Sequence, residues 1–300
     1  SSHSRPYPAR YTCPDSLTYA IEPASGGNII FIHNHNLAYS PRIMVSYLSF
    51  KPGDLYNLNN VNRTYTRLNE LRNFSYINIS FTEVADSTEE NDTIKYIDCK
   101  IQLMPTDKYS FAAEVKGTNT GGNLGIAMDF TTTSRNIFRG GENLSFKLGA
   151  AYEAQTLFID ANSSLFNTFE FSGNLKLDIP RFYFPVKTKY LSKTFRPRTI
   201  FNIGGNYQQR PDYNRFISTG YFGYEWNQGK KVKHSFSPVD INIVKINPTD
   251  KFVEMLSKFN RIVREQYTDH LLVAMKYNYV YDNQNLIKGN NFVLDRKSVV

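Results

Sequence analysis

The 300-residue chain carries 35 Lys and Arg against 27 Asp and Glu, a net charge of +8, with 41% apolar residues and two cysteines. That apolar content excludes a disordered chain, and two cysteines exclude a disulfide scaffold or a multi-cysteine zinc module. No apolar run approaches the roughly 18 residues of a membrane-spanning helix, whereas strands that cross a membrane need only alternation.

Residues 1–27 are rich in Pro, Ser and Gly and read as an entry segment with a short strand at 17–22. Residues 1–10 lack an apolar stretch, so no signal peptide is expected there. Residues 28–105 read as one small α+β unit. Ile29, Ile30, Phe31 and Ile32 form a short strand. Pro41 suits the first turn of a helix, on which Ile43, Tyr47 and Leu48 share a face. Lys51-Pro52-Gly53-Asp54 is a turn signal. Val61, Tyr65, Leu68 and Leu71 then recur at helical spacing. Two strands follow, one with Ile77, Ile79 and Phe81, the other with Ile97, Cys99, Ile101 and Leu103 on alternate positions. The acidic stretch 86–92 between them reads as a solvated hairpin loop. The predicted order is β-α-α-β-β.

From Lys108 onward, helical spacing gives way to alternation. Tyr109, Phe111, Ala113 and Val115 face one side, and Ser110, Ala112, Glu114 and Lys116 the other. The pattern repeats around Met128, Phe146, Phe171 and Val273, and less cleanly near 199–208, 215–226 and 235–246. This makes about eight strands of roughly ten residues, a length suited to tilted membrane strands. One face is apolar with aromatic ends, and the other carries charges and amides. A soluble sandwich would bury the apolar face, and a membrane barrel would turn it to lipid; alternation alone does not separate them. Strand length, aromatic strand ends and small residues on the polar side favour the barrel. Phe146, Leu148, Phe171, Val273, Met275 and Tyr277 are expected to face lipid, and Lys147, Glu170 and Lys276 the lumen. One stretch interrupts the texture: Phe252, Val253, Leu256, Phe259, Ile262 and Val263 repeat at helical spacing, predicting an amphipathic helix near 250–265. Its plainer reading is a lid packed on neighbouring loops; the alternative is a membrane-surface helix.

Signals of enzymatic chemistry are nearly absent: there is no G-x-S-x-G, Walker loop or H-E-x-x-H. His33 and His35 lie on alternate positions, where two imidazoles can share a metal, yet no third ligand is visible, and two exposed loop histidines are the plainer reading. Cys99 reads as a buried thiol, with a Cys13–Cys99 disulfide as the alternative in an oxidising compartment. The run Lys230-Lys231-Val232-Lys233-His234 reads as a solvated turn or as a contact for anionic lipid head groups. Nucleic-acid binding is not expected, because the aromatics lie opposite the charges rather than among them.

The stretch Leu48-Ser49-Phe50-Lys51-Pro52-Gly53-Asp54-Leu55-Tyr56 within the β-α-α-β-β unit resembles the "pGd-y" turn of polypeptide-transport-associated (POTRA) domains. Leu68-Asn69-Glu70-Leu71-Arg72-Asn73-Phe74-Ser75-Tyr76-Ile77 resembles their "L-x-x-L-g-x-F-x-x-v" stretch, with Arg72 or Asn73 in place of the usual Gly. Further on, Asn136-Ile137-Phe138-Arg139-Gly140-Gly141-Glu142 resembles the "N-l-f-G-x-G-e" turn of the bacterial surface antigen barrels of BamA and TamA type. Asp178-Ile179-Pro180-Arg181 resembles the proline-containing turn after their fourth strand, and Pro197-Arg198-Thr199 the start of their fifth. The late R-G-[FY] loop motif and a terminal aromatic strand are missing. The resemblance therefore implies the front half of a longer protein, with about eight of roughly sixteen strands.

The organisation this implies is an entry segment (1–27), a POTRA-like domain (28–105) and the N-terminal half of an outer-membrane β-barrel (106–300). The POTRA core is expected at Leu68, Leu71, Phe74, Ile77, Ile79 and Ile101, and the barrel turn motif at Asn136, Phe138, Gly140 and Gly141. The resemblance implies assembly or insertion of other outer-membrane proteins, or their translocation, without enzyme chemistry or cofactor. A lateral-seam strand carrying Tyr109, Phe111, Ala113, Val115 and Gly117 would exchange hydrogen bonds with an incoming strand. The implied partners are unfolded outer-membrane protein clients, accessory assembly subunits bound through the POTRA-like domain, and outer-membrane lipids. The implied location is the outer membrane, with the POTRA-like domain in the periplasm. A passive porin or receptor and a barrel enzyme remain the other classes.

Overall fold

A computed structural model of the chain describes residues 15–20, 28–33, 37–84, 96–120, 123–154, 167–183, 197–229, 231–282 and 294–299. The chain divides into two compact units, Ser1–Thr106 and Asp107–Val300.

In the first unit, β1 (Asp15–Ala20) pairs antiparallel with β2 (Asn28–His33). Then come α1 (Pro41–Tyr47), α2 (Leu58–Glu70), β3 (Phe74–Glu83) and β4 (Ile97–Pro105). From β2 onward the order is β-α-α-β-β. Pro41 stands in the first turn of α1, where its missing N–H costs no helical bond. Asn57 caps α2, its side chain accepting from the Asn59 N–H at 2.9 Å. In the turn between the helices, the Asp54 N–H donates to the Lys51 carbonyl, and Gly53 takes φ 87°, a value that favours glycine.

The core of this unit is Met44, Tyr47, Leu68, Leu71 and Phe74, with Phe31, Tyr39, Ile43, Ile77, Ile101 and Leu103 packed on it. Ile79 is half-buried and pairs with Ile101 across β3 and β4. Two expectations are corrected here. Tyr65 is 47% exposed, and Thr64 takes the buried place on α2. Thr64 tolerates burial because its hydroxyl donates to the Asn60 carbonyl and accepts from the Ser49 N–H. Cys99, expected buried, is an exposed free thiol, because the helices cover only one end of the β3–β4 face. Among the described residues β2 pairs with β1, and β3 and β4 form a separate two-stranded sheet. Cys13, His35 and the acidic stretch 86–92 lie outside the described residues.

Among the described residues the second unit is a meander of nine antiparallel strands in sequence order. These are β5 (Tyr109–Thr120), β6 (Asn123–Arg135), β7 (Asn143–Glu153), β8 (Thr168–Ile179), β9 (Arg198–Gln209), β10 (Tyr213–Gln228), β11 (Val232–Pro248), β12 (His270–Asp282) and β13 (Leu294–Val299). Alternation counted about eight; β13 is the further one. The register keeps one face apolar across the sheet: Phe130 opposes Ala113 and Leu148, and Leu175 opposes Phe146 and Ile203. In β11 a bulge between Ser237 and Asp240 shifts the alternation by one, so Phe236 and Ile241 share that face. The Ser237 hydroxyl supports the bulge by donating to the Phe222 carbonyl at 2.9 Å.

Between β11 and β12 the expected single helix is two, α3 (Asp250–Ser257) and α4 (Arg261–Glu265). The break has a local cause: the Asn260 side chain accepts from the Val263 N–H and starts a new helix. Thr249 precedes α3, but its hydroxyl donates to the Asp212 carbonyl instead of capping the helix. Phe252 and Leu256 pack on Tyr213 and Ile246. Tyr213 and Ile246 alternate with the apolar face, so the insert folds onto the polar side of the sheet.

Candidate functional site

The apolar face of the sheet is uncovered. Phe111 (69%), Val115 (65%), Ile203 (67%) and Val273 (62%) are as exposed as surface residues, so no second layer of described residues buries them. Phe146, Phe171, Met275 and Tyr277 lie on this face and are exposed, and Leu148 lies between Phe130 and Gly173 on it. A sandwich would bury this surface; here it is a continuous apolar band. One end of the band is aromatic. Trp226 stacks on His234 at 5.0 Å, Phe182 meets Trp226 edge-on, and His234 Nδ1 lies 2.7 Å from the Tyr277 hydroxyl. Such a ring of aromatics is what strands place at a membrane–water boundary.

The opposite face is polar and paired. Asp240 accepts from Lys276, and Glu170 from Asn206. Near β5, Lys116 Nζ lies 2.6 Å from Glu114 and 2.7 Å from Asp129, which also holds Lys147 at 3.0 Å. In the basic run near 230, Lys233 is paired with Glu225 on this face, and His234 belongs to the aromatic end of the other.

The strand β5, with Tyr109, Phe111, Ala113, Val115 and Gly117, stands at the end of the sheet. It pairs with β6 on one side, and no described strand pairs with its other edge. All five of these residues lie on the apolar face, and a side chain at Gly117 would meet open space.

The three turn-like stretches of the second unit come together at one end of the sheet. Asn136 accepts from the Gly141 N–H at 3.0 Å, and Glu142 accepts from the Gly140 N–H at 2.8 Å. Glu142 is fully buried, and its other carboxylate oxygen receives Arg181 at 2.9 Å. Thr199, also fully buried, donates to the Arg181 carbonyl at 2.7 Å and accepts from the Tyr183 N–H. Arg198 pairs with Asp178. The turns after β6 and β8 and the start of β9 thus form one clasp. Phe138 points outward from it, 64% exposed. Glu142, Arg181 and Thr199 each end one of the three quoted stretches, but that they bind one another is not readable from sequence, since each partner lies in a different turn.

Among the described residues no group of three or more His, Cys, Asp or Glu side chains is placed to hold a metal. No described helix is long and apolar enough to cross a membrane.

No family model matches the chain, and no curated protein matches it in sequence. Among solved structures, it is similar to BamA from Haemophilus ducreyi lacking POTRA domains 1-3, with 13% identity and a TM-score of 0.49, over 92% of this chain and 50% of that one. It is also similar to CdiB from Acinetobacter baumannii, with 12% identity and a TM-score of 0.36, over 83% of this chain and 48% of that one. The chain spans about half the length of these proteins.

Proposed function

We propose that this chain is part of an outer-membrane β-barrel assembly, insertion or translocation factor that works by strand exchange at β5, without enzyme chemistry or cofactor. One observation carries the reading: β5, long enough to span a membrane, opens the sheet directly after the first unit, so in a closed barrel it would meet the last strand, and a client strand would replace that partner at this seam. When such a pair parts, the exposed backbone N–H and C=O groups template another strand. In lipid those groups have no water to satisfy them, so a strand that supplies partners is strongly favoured. The clients are unfolded outer-membrane proteins. The first unit, in the periplasm, receives clients or accessory subunits by strand addition to its short sheets. The apolar band contacts outer-membrane lipid, and the clasp and aromatic ring lie at the periplasmic boundary.

The test is trapping at the seam. Single cysteines at 109–117 should crosslink to the terminal strand of a client in cells making abundant outer-membrane proteins. Ala113→Pro, which removes a ladder donor, should impair insertion, while Ala113→Ser should be nearly silent. Absence of any trapped client, with insertion unaffected by the proline, would overturn the reading and favour a passive barrel.

A further inference from the structure

The β5–β6 register places Glu114 directly opposite Asp129. Like charges facing each other across a strand pair are destabilising. Alternation does not prevent relief: a two-residue slide of β5 leaves every side chain on its own face. It would move Glu114 opposite Thr131 and Lys116 opposite Asp129. Something other than the apolar pattern must therefore hold the observed register.

Resting on the exchange reading above, we propose that Lys116 is a positioning residue, the register pin of the seam strand. Its ammonium bridges both members of the like-charge pair, at 2.6 Å from Glu114 and 2.7 Å from Asp129. Asp129 is the fixed end of the pin, because Lys147 on β7 holds it at 3.0 Å. Gly149, opposite Asp129, makes the room: a Cβ there would come within 2.9 Å of Asp129 Oδ1 and 2.6 Å of Ser172 Oγ. Glu114 and Lys116 belong to the strand that exchanges, and Asp129, Lys147 and Gly149 to the strands that stay. The pin keeps β5 in one register on β6, so that its outer edge presents one template to an incoming strand. On the other face Phe111 stacks on Phe130; both residues are left unchanged in every variant below, and the slide has to part them.

The experiment uses the membrane-embedded protein with Cys13→Ser and Cys99→Ser. Met128→Cys is combined with Val115→Cys, its observed partner, or with Gly117→Cys, its partner after the slide. The parent should crosslink at 115–128. Lys116→Gln unmasks the repulsion, and the 117–128 product should rise about fivefold at the expense of 115–128. Glu114→Gln combined with Lys116→Gln removes the repulsion and should restore 115–128, and Lys116→Arg should keep it throughout. If Lys116→Gln does not accumulate, recovery of both accumulation and the 115–128 product in the double variant supports the pin. Lys116→Gln that keeps 115–128 alone, or a double variant that stays slipped or absent, overturns it. Client trapping in the parent is scored separately: its absence sinks strand exchange and leaves the register result standing.

Discussion

The two units share one sequence device and use it in opposite ways. In β3 and β4, alternation turns Ile77, Ile101 and Leu103 toward a core that α1 and α2 close with Leu68 and Leu71. In β5–β12, the same alternation leaves Met128, Phe171 and Val273 on an open face. Alternation therefore defines faces, and a covering layer decides whether a face becomes a core. The first unit supplies its cover from its own chain. The second has no cover among the described residues, and in the proposed reading lipid takes that place.

The contrast is broken most sharply by removing the cover. In the first unit produced alone, Leu71→Ala should cost about 2–5 kcal/mol by urea unfolding. A loss of about 0.5 kcal/mol, typical of a surface site, would mean that α2 does not close a core. The second unit is sharpened by charge. Phe171→Arg or Val273→Arg should cost roughly 2–4 kcal/mol if that face meets lipid, against far less for Ala274→Arg on the polar face. Refolding equilibria in bilayers would measure this, and equal costs on both faces would erase the distinction. A smaller effect is expected at the clasp, where burial is polar. Glu142→Ala removes the acceptor of Arg181 and of the Gly140 N–H and should cost about 1–3 kcal/mol in the same assay. Lys176→Ala, at an exposed position of β8, serves as the comparison and should change little.

The architecture was legible where one physical pattern dominates. Alternation placed every strand from β5 to β12, because each side chain has only two faces to choose between. Composition marked the turns through Pro41, Gly53 and Gly141, whose backbone angles leave little choice. What stayed hidden depends on particular side-chain partners that a periodic pattern does not report. Thr64 outranks Tyr65 because Asn60 and Ser49 satisfy its hydroxyl, which helical spacing does not report. Glu142 is buried because Arg181, 39 residues away, meets it. The split between α3 and α4 turns on one Asn260 side chain. β1 and β2 are neighbours in sequence, but strands of six residues carry little information on which strand they pair with.

The two units also share a local feature, and it supports the smallest prediction. Arg72 follows the C-terminal cap of α2 with φ 55°, and Arg139 sits in the β6–β7 turn with φ 62°. Both lie where the motifs they resemble carry glycine; in the first, the positive φ falls on Arg72 and not on Asn73. A side chain in the left-handed region costs about 1–2 kcal/mol, while glycine gives back roughly 0.4–1 kcal/mol through a freer unfolded chain. Arg72→Gly should therefore stabilise the first unit by about 0.5–1 kcal/mol. Arg139→Gly should show a gain of the same sign. Arg72→Ala keeps the Cβ and should give no such gain. Both arginines are exposed, so little packing is at stake in either. Urea midpoints for the first unit and bilayer refolding for the second would measure the pair. Gains at both sites would show that the backbone obeys the same local rule in water and at a membrane boundary. A loss at Arg72 would mean that its side chain does more for the helix end than its strained backbone costs.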